Sequence, residues 1–313
     1  MRAFLVVNPK ATTTTVRSRD VLVRALRSQV ELNVVYTEQR GHAAELARQA
    51  TVDGADLIVT LGGDGTVNEA INGILTVDSG PAAERAAERP ALAVVPGGST
   101  NVFARALGLP RDWTEGMGAI LEALREGRTR TVGLGRADER YFTFCAGLGI
   151  DAEVIARVEQ ARRRGRVSSP ALYFRSALAQ YALTDARRPP SIVLERRGAP
   201  TETGLSTVII QNTAPWTYLG DRPIQCCPDA TFELGLDLLA LRALHVASTT
   251  ITATRMLGRR PNPHGKQVLH LHDLDGFTLR STSPMAFQVD GDYLGERNKL
   301  DFAAIPNALR IVC

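Results

Sequence analysis

The segment that most constrains this chain is an apolar run, residues 56–61, which ends in Gly62-Gly63-Asp64-Gly65-Thr66 and passes into a helix-like stretch, residues 66–75. Strand, glycine turn and helix in immediate succession are the repeating unit of an α/β sheet. Three glycines let the backbone approach a ligand closely and adopt φ > 0. The helix start adds N–H groups with no partner inside the helix and a partial positive charge, which suits phosphate. Asp64 is the informative residue, because a carboxylate beside a phosphate repels it unless Mg²⁺ lies between them. Thr66 and Glu69 also fit a capping box, in which both would only fix the helix start. The string is not a Walker A loop, since no G-x-x-x-x-G-K-[ST] occurs in the sequence.

A second turn, Pro96-Gly97-Gly98-Ser99-Thr100-Asn101, follows another apolar run, residues 92–95, and offers hydroxyl and amide donors. The rest of the first third keeps the alternation. Residues 3–7, 32–36, 56–61 and 92–95 read as strands, and 16–29, 41–50, 66–75 and 112–126 as helices. Near-continuous apolar strands between helices imply a doubly wound parallel sheet, which binds ligands beyond the carboxyl ends of its strands. Both glycine turns fall at such ends.

Beyond residue 130 the pattern changes to short strands: 141–145, 191–195, 207–211, 236–241, 268–272, 277–280 and 287–289. Turn chemistry separates them, including Arg-Pro-Pro at 188–190 and Asp-Gly at 275–276 and 290–291. Two helix-like stretches, 151–164 and 170–184, interrupt them. This half reads as a β-sandwich-like domain with a helical insertion, and residues 77–90 as a surface loop.

The 313 residues, 44% hydrophobic and 22% charged, suffice for two domains with real cores. A net charge of +4 favours acidic partners and is too small to argue nucleic acid. Four cysteines, Cys145, Cys226, Cys227 and Cys313, make no C-x-x-C pair and no metal spacing, which fits a reducing cytosol. Without a signal-like apolar stretch or a run of ~18 apolar residues, a soluble cytoplasmic protein is expected.

Asn8-Pro9, Thr37, GGDGTVNEAING at 62–73, PGGSTNVFARALGLP at 96–110 and GLGIDAEV at 147–154 together resemble the diacylglycerol kinase catalytic family. The resemblance is to its bacterial lipid kinase branch, related to sphingosine and ceramide kinases. Val289-Asp290-Gly291-Asp292 resembles the family's Val-Asp-Gly-Glu, and the matching strings run in order from residue 3 to about 300. The resemblance implies an ATP-binding α/β domain, residues 1–130 with about 303–313 returning to it, and a lipid-substrate domain, 131–302. It implies transfer of the γ-phosphoryl group of ATP, with Mg²⁺, to a lipid hydroxyl, with diacylglycerol as the expected acceptor. ATP would contact Asn8, Thr37, Gly62, Gly63, Asp64, Gly65, Thr66, Val67, Asn68, Gly98 and Ser99. Asp64 would position Mg²⁺, directly or through water, and Asp292 would be the general base. The expected partners are the lipid substrate and, transiently, the anionic inner face of a membrane. The basic run Arg162-Arg163-Arg164-Gly165-Arg166 reads equally as headgroup contact and as helix-dipole compensation. A homodimer through exposed strands is compatible with the sequence, and nothing in it specifies one.

Two departures stand out. Gly133 occupies the family's strand-Asp position, and Leu234 stands where a metal-associated carboxylate is usual. A leucine cannot ligate, so an accessory Mg²⁺ site would have to be rebuilt from Glu233, Asp237 and backbone carbonyls. These departures keep a non-catalytic nucleotide- or lipid-binding regulator as an alternative. NAD kinase, which shares the Gly-Gly-Asp-Gly-Thr turn, is the other; the 96–110 string and the terminal Asp-Gly-Asp favour the lipid branch. His270 and His272 alternate on one strand face, an arrangement that suits a metal; with no third ligand close in sequence, a solvated face is the reading preferred. Pro215–Leu219 and the stripe Leu172, Tyr173, Phe174, Tyr181 read as core, or as the lining of an acyl-chain cleft.

Overall fold

A computed structural model describes the chain except residues 13–14, 78–87, 165–171, 173–174, 178, 181–190 and 259. The expected helix over 170–184, the Arg-Pro-Pro turn, Arg166, Tyr173, Phe174, Tyr181 and most of the 77–90 loop lie outside the described residues, wholly or in large part. The chain divides into two units, Met1–Leu134 with Ile305–Cys313, and Gly135–Ala304.

The first unit is built on parallel strands. β1 (Arg2–Val7) pairs with β2 (Glu31–Tyr36) on one side and β3 (Leu57–Gly62) on the other, and β4 (Ala91–Pro96) pairs with β3. The C-terminal stretch adds a further parallel partner to β4, with Ile311 opposite Leu92. Every residue of β3 and β4 is buried, as expected of strands covered on both faces. The helices are α1 (Val16–Arg27), α2 (His42–Val52), α3 (Asp64–Leu75), α4 (Val102–Ala106) and α5 (Trp113–Glu126). Gly73 shows why α2 and α3 pack as they do: a Cβ there would lie 2.2 Å from the Ala44 carbonyl oxygen, so only glycine allows the approach.

Chain order reverses direction across the sheet at β1, between β2 and β3. Registers Val7↔Tyr36, Val7↔Leu61 and Gly62↔Pro96 put the carboxyl ends of all four strands on one edge. The ladders run on past the strands, through N–H groups of Asn8 to the Leu61 carbonyl, Thr37 to Val7 and Gly97 to Gly62. Asn8, Thr37 and both glycine turns are thereby fixed on the same edge.

β5 (Thr129–Ala137) leads out of the first unit. The second unit is antiparallel. It contains β6 (Arg140–Phe142), β7 (Cys145–Leu148), α6 (Ile150–Arg163), β8 (Ile192–Glu195), β9 (Glu202–Leu205), β10 (Thr207–Gln211) and a small hairpin of β11 (Thr217–Leu219) and β12 (Arg222–Ile224). β13 (Leu236–Leu241), α7 (Val246–Met256), β14 (Val268–Leu274), β15 (Gly276–Val289) and β16 (Asp292–Val312) follow. The expected strands 277–280 and 287–289 are one strand, β15, with a register shift between Arg280 and Met285. Its first half pairs with β8 and its second with β7, so one long strand serves both faces of a shared core. Phe142, Phe277, Phe287 and Phe302 meet there, Phe277 and Phe302 stacked at 5.1 Å. α7 and the hairpin β11–β12 carry no strong periodic signal in the sequence, and only the structure shows them.

Candidate active site

The helix after the first glycine turn begins two residues earlier than the sequence implies. Gly63 is its N-cap, no side chain caps it, and Asp64 and Gly65 already belong to its first turn. Gly63, Asp64 and Gly65 are half-buried, so the helix start remains reachable. The expected capping box is therefore corrected. Thr66 is the third helical residue, and its Oγ1 accepts a hydrogen bond from Asn8 Nδ2 at 3.0 Å. Glu69 caps a different helix, its two oxygens accepting from the N–H groups of Gly41 (2.7 Å) and Ala43 (3.2 Å) at the start of α2.

The two glycine turns touch. A Cβ on Gly98 would sit 2.7 Å from the Gly63 Cα, and one on Gly63 would sit 3.3 Å from the Gly98 Cα. Asn101, at φ 49, clamps the second turn by accepting from the Gly98 N–H (2.8 Å) and donating to the Gly98 carbonyl (2.9 Å). The Gly98 N–H is thus taken by Asn101, and its missing side chain makes room for Gly63. Ser99, beyond the clamp, is exposed.

Asp64 joins the turns. Its Oδ2 accepts from the Val102 N–H (3.0 Å) and its Oδ1 from the Phe103 N–H (3.1 Å), the first residues of α4. Val67 and Asn68 do not present side chains to a ligand. Val67 is buried, its N–H bonds the Gly63 carbonyl, and buried Asn68 accepts from Asn72. Both side chains lie on the core face of α3.

Asn8, Thr37, the 62–66 turn and Ser99 thus share one edge, while Asp292 belongs to the second unit. It opens β16, paired with Val289 across a two-residue turn whose central residues, Asp290 (φ 48) and Gly291 (φ 81), are both left-handed. That geometry is the tight-hairpin turn that Asp-Gly favours. Asp290 fixes the turn: its buried carboxylate accepts from the N–H groups of Thr143, Phe144 and Cys145 and from the Thr143 hydroxyl, at 2.7–3.1 Å. Gln288 completes the frame, accepting from the Gly291 N–H (2.9 Å) and donating to Asp151 Oδ2 (2.8 Å). Burial pushes the Asp151 carboxyl up to about 6, against the hydrogen bond from Gln288. Asp151 lies in the 147–154 string and Asp290 in the Asp-Gly turn, yet neither was assigned a role, because their partners are remote in sequence.

Among the lesser candidates, Trp216 packs against an apolar cluster around Cys226, Cys227 and Leu239, and Leu172 is buried. Arg162 and Arg163 occupy the last turn of α6, where Arg163 reaches Glu159 at 3.6 Å. Leu234 is exposed in a turn, and Asp237 is engaged by His272 and the Asp273 N–H rather than by Glu233. No helix among the described residues is long and apolar enough to cross a membrane.

A doubly wound parallel sheet with two abutting glycine turns at its carboxyl edge, followed by a β-rich unit, defines a class of α/β proteins whose ligand site lies beyond the strand ends, with a helix start suited to phosphate. Comparison with known proteins narrows it. Residues 2–137 match the diacylglycerol kinase catalytic domain. The chain is 26% identical over 297 residues to the diacylglycerol kinase of Bacillus subtilis (strain 168), covering 94% of this chain and 90% of that one. A Staphylococcus epidermidis diacylglycerol kinase is 37% identical over 130 residues, 42% of this chain and 37% of its own length. Two crystal structures from Bacillus anthracis str. Sterne share the fold at TM-scores of 0.77 and 0.71, with 19% and 18% identity, each covering 99% of this chain and 96% of theirs. The second is described as a diacylglycerol kinase. Residues 2–137 thus carry a diacylglycerol kinase catalytic domain, the chain is similar over nearly its whole length to a bacterial diacylglycerol kinase, and it is a lipid kinase.

Proposed function

We propose that this enzyme transfers the γ-phosphoryl group of ATP to the hydroxyl of diacylglycerol, giving phosphatidic acid, with Mg²⁺ as the metal. The observation that carries this reading is the start of α3. It lacks a side-chain cap, is half-buried rather than sealed, and stands beside exposed Ser99 on the edge that also holds Asn8. Backbone N–H groups and a helix dipole there favour phosphate oxygens. The Asp64 carboxylate, held in place by N–H donors of α4, offers the oxygen ligands that Mg²⁺ prefers, so the residues fit a metal–nucleotide pair. Bound there, Mg²⁺ would neutralise charge on the phosphates.

The chain's own work is mostly positioning. Asn8 fixes Thr66 in the first turn, and Asp64 locks that turn to α4. Asp292 accepts the proton of the lipid hydroxyl as the oxygen–phosphorus bond forms, and the departing phosphate oxygen leaves with ADP. Asp in place of the family's Glu is one methylene shorter and chemically equivalent as a base. A net charge of +4 supports transient contact with an anionic membrane surface, where the lipid is presented.

The test is incubation of the purified chain with γ-labelled ATP, Mg²⁺ and a total lipid extract, with mass identification of the labelled product. Labelled phosphatidic acid is expected. Label confined to another lipid would replace the acceptor, and label in NADP after NAD addition would replace the class. Asp292→Ala should lower single-turnover phosphorylation by ~10²–10⁴-fold while nucleotide binding stays near wild type. Near-normal turnover would remove Asp292 from the base role.

A further inference from the structure

The face of the second unit that carries β13 and β14 gathers ligands that are scattered in sequence. Cys227, Asp237 and His270 bring a thiol, a carboxylate oxygen and an imidazole nitrogen within 4.8 Å of one another. Asp237 lies on β13 and His270 on β14, with Leu239 of β13 opposite His270 in the register. The Cys227 backbone is held by its N–H to Gln211 Oε1 at 2.7 Å and by the Ala230 N–H on its carbonyl. Cys227 and Asp237 are fully buried, while His270 is exposed.

We propose that Cys227, Asp237 and His270 bind a divalent transition metal of zinc-like chemistry, with His272 orienting the Asp237 carboxylate. The donor set argues for the metal type. Thiolate and imidazole select zinc and its neighbours, whereas Mg²⁺ requires oxygens. Four-coordinate zinc holds N, O and S ligand atoms roughly 3.3–3.8 Å apart, given bond lengths of about 2.0–2.3 Å. At separations of no more than 4.8 Å, the donors are within about 1.5 Å of binding geometry, and the exposed His270 ring is the one able to turn. Solvent on that side supplies water as a fourth ligand.

The surroundings follow the logic of a supported metal ligand. His272 Nδ1 donates to Asp237 at 2.8 and 3.0 Å, and the Asp273 N–H donates to Asp237 Oδ1 at 3.0 Å. Such outer partners fix a ligating carboxylate. Without metal, burial pushes the Cys227 thiol well up, and the Asp237 and Asp229 carboxylates add to the effect. Metal binding would displace the thiol proton to solvent, leaving a thiolate neutralised by the cation. The bound ion would clip β14 to β13 and to the segment carrying Cys227.

The experiment uses the full chain, stripped with chelator and titrated with Co²⁺ in excess Mg²⁺, which occupies oxygen-rich sites. One equivalent should bind with a near-ultraviolet thiolate-to-cobalt charge-transfer band, and Zn²⁺ should displace it. Cys227→Ser should abolish the band although Cys313 remains. His270→Ala, at an exposed position, should weaken Co²⁺ binding, and His272→Ala should weaken it by ~10–100-fold. Absence of the band in the wild type, or unchanged affinity in His270→Ala, would overturn the proposal.

Discussion

Asp64 in the first unit and Asp290 in the second do the same physical work with different outcomes. Each carboxylate spends both oxygens on backbone N–H groups of another turn. Asp64 reaches α4, 38 and 39 residues away, and stays half-buried. Asp290 reaches back 145–147 residues, accepts four hydrogen bonds and is only 4% exposed. The first anchor joins the two glycine turns and stays half-buried, within reach of a ligand. The second is sealed, so its contribution is rigidity for the hairpin that carries Asp292.

If that contrast is right, Asp290→Ala should be the most damaging change. Three buried backbone donors would lose their acceptor, at about 3 kcal/mol or more in urea denaturation, since each buried orphan costs about 1–3 kcal/mol. Asp290→Asn, which keeps the left-handed preference and one oxygen, should cost less. A loss under about 1 kcal/mol for the alanine variant would break the comparison.

Asp151 sharpens it through pH. Burial raises its carboxyl from the ordinary 3.8 to about 6 in the folded chain, so folding disfavours its charged form. The unfolded chain gives up that proton more readily, so the penalty is nil below about pH 3.8 and complete above about pH 6. The difference amounts to roughly 3 kcal/mol at most, at 1.36 kcal/mol per unit. Asp151→Asn keeps an acceptor for Gln288 and removes the ionisation. It should be more stable than wild type by up to that amount at pH 7.5, with the gap closing toward pH 4. A gap independent of pH would mean that burial does not raise the Asp151 carboxyl.

The contact between the glycine turns gives a further test. Gly98→Ala would push a Cβ to 2.7 Å from the Gly63 Cα and 2.9 Å from Asn101 Oδ1. It should cost ~1–3 kcal/mol as overpacking and weaken nucleotide binding with it. Gly63→Ala, meeting Gly98 at 3.3 Å, should cost less in stability. Equal stability in both variants would mean that the turns are not pressed together.

The sequence by itself determined the parallel sheet, the two glycine turns and the helix between them. Their signals are contiguous: an apolar run, glycines and a periodic helix follow one another within about twenty residues. It also carried the resemblance to diacylglycerol kinases, because the matching strings keep their order along the chain. What it could not decide was who holds whom. Glu69, three residues from Thr66, has the spacing of a capping box and instead caps α2, because Gly73 lets α2 approach α3 closely. Val67 and Asn68 belong to the motif and face the core. Asp64 supports α4, and Asp290 supports the turn between β6 and β7, through backbone donors that have no sequence signature. His270 and His272 had no third ligand close in sequence. Tertiary structure placed Cys227 and Asp237 beside them, because antiparallel pairing of β13 with β14 brings residues more than thirty positions apart into side-chain contact.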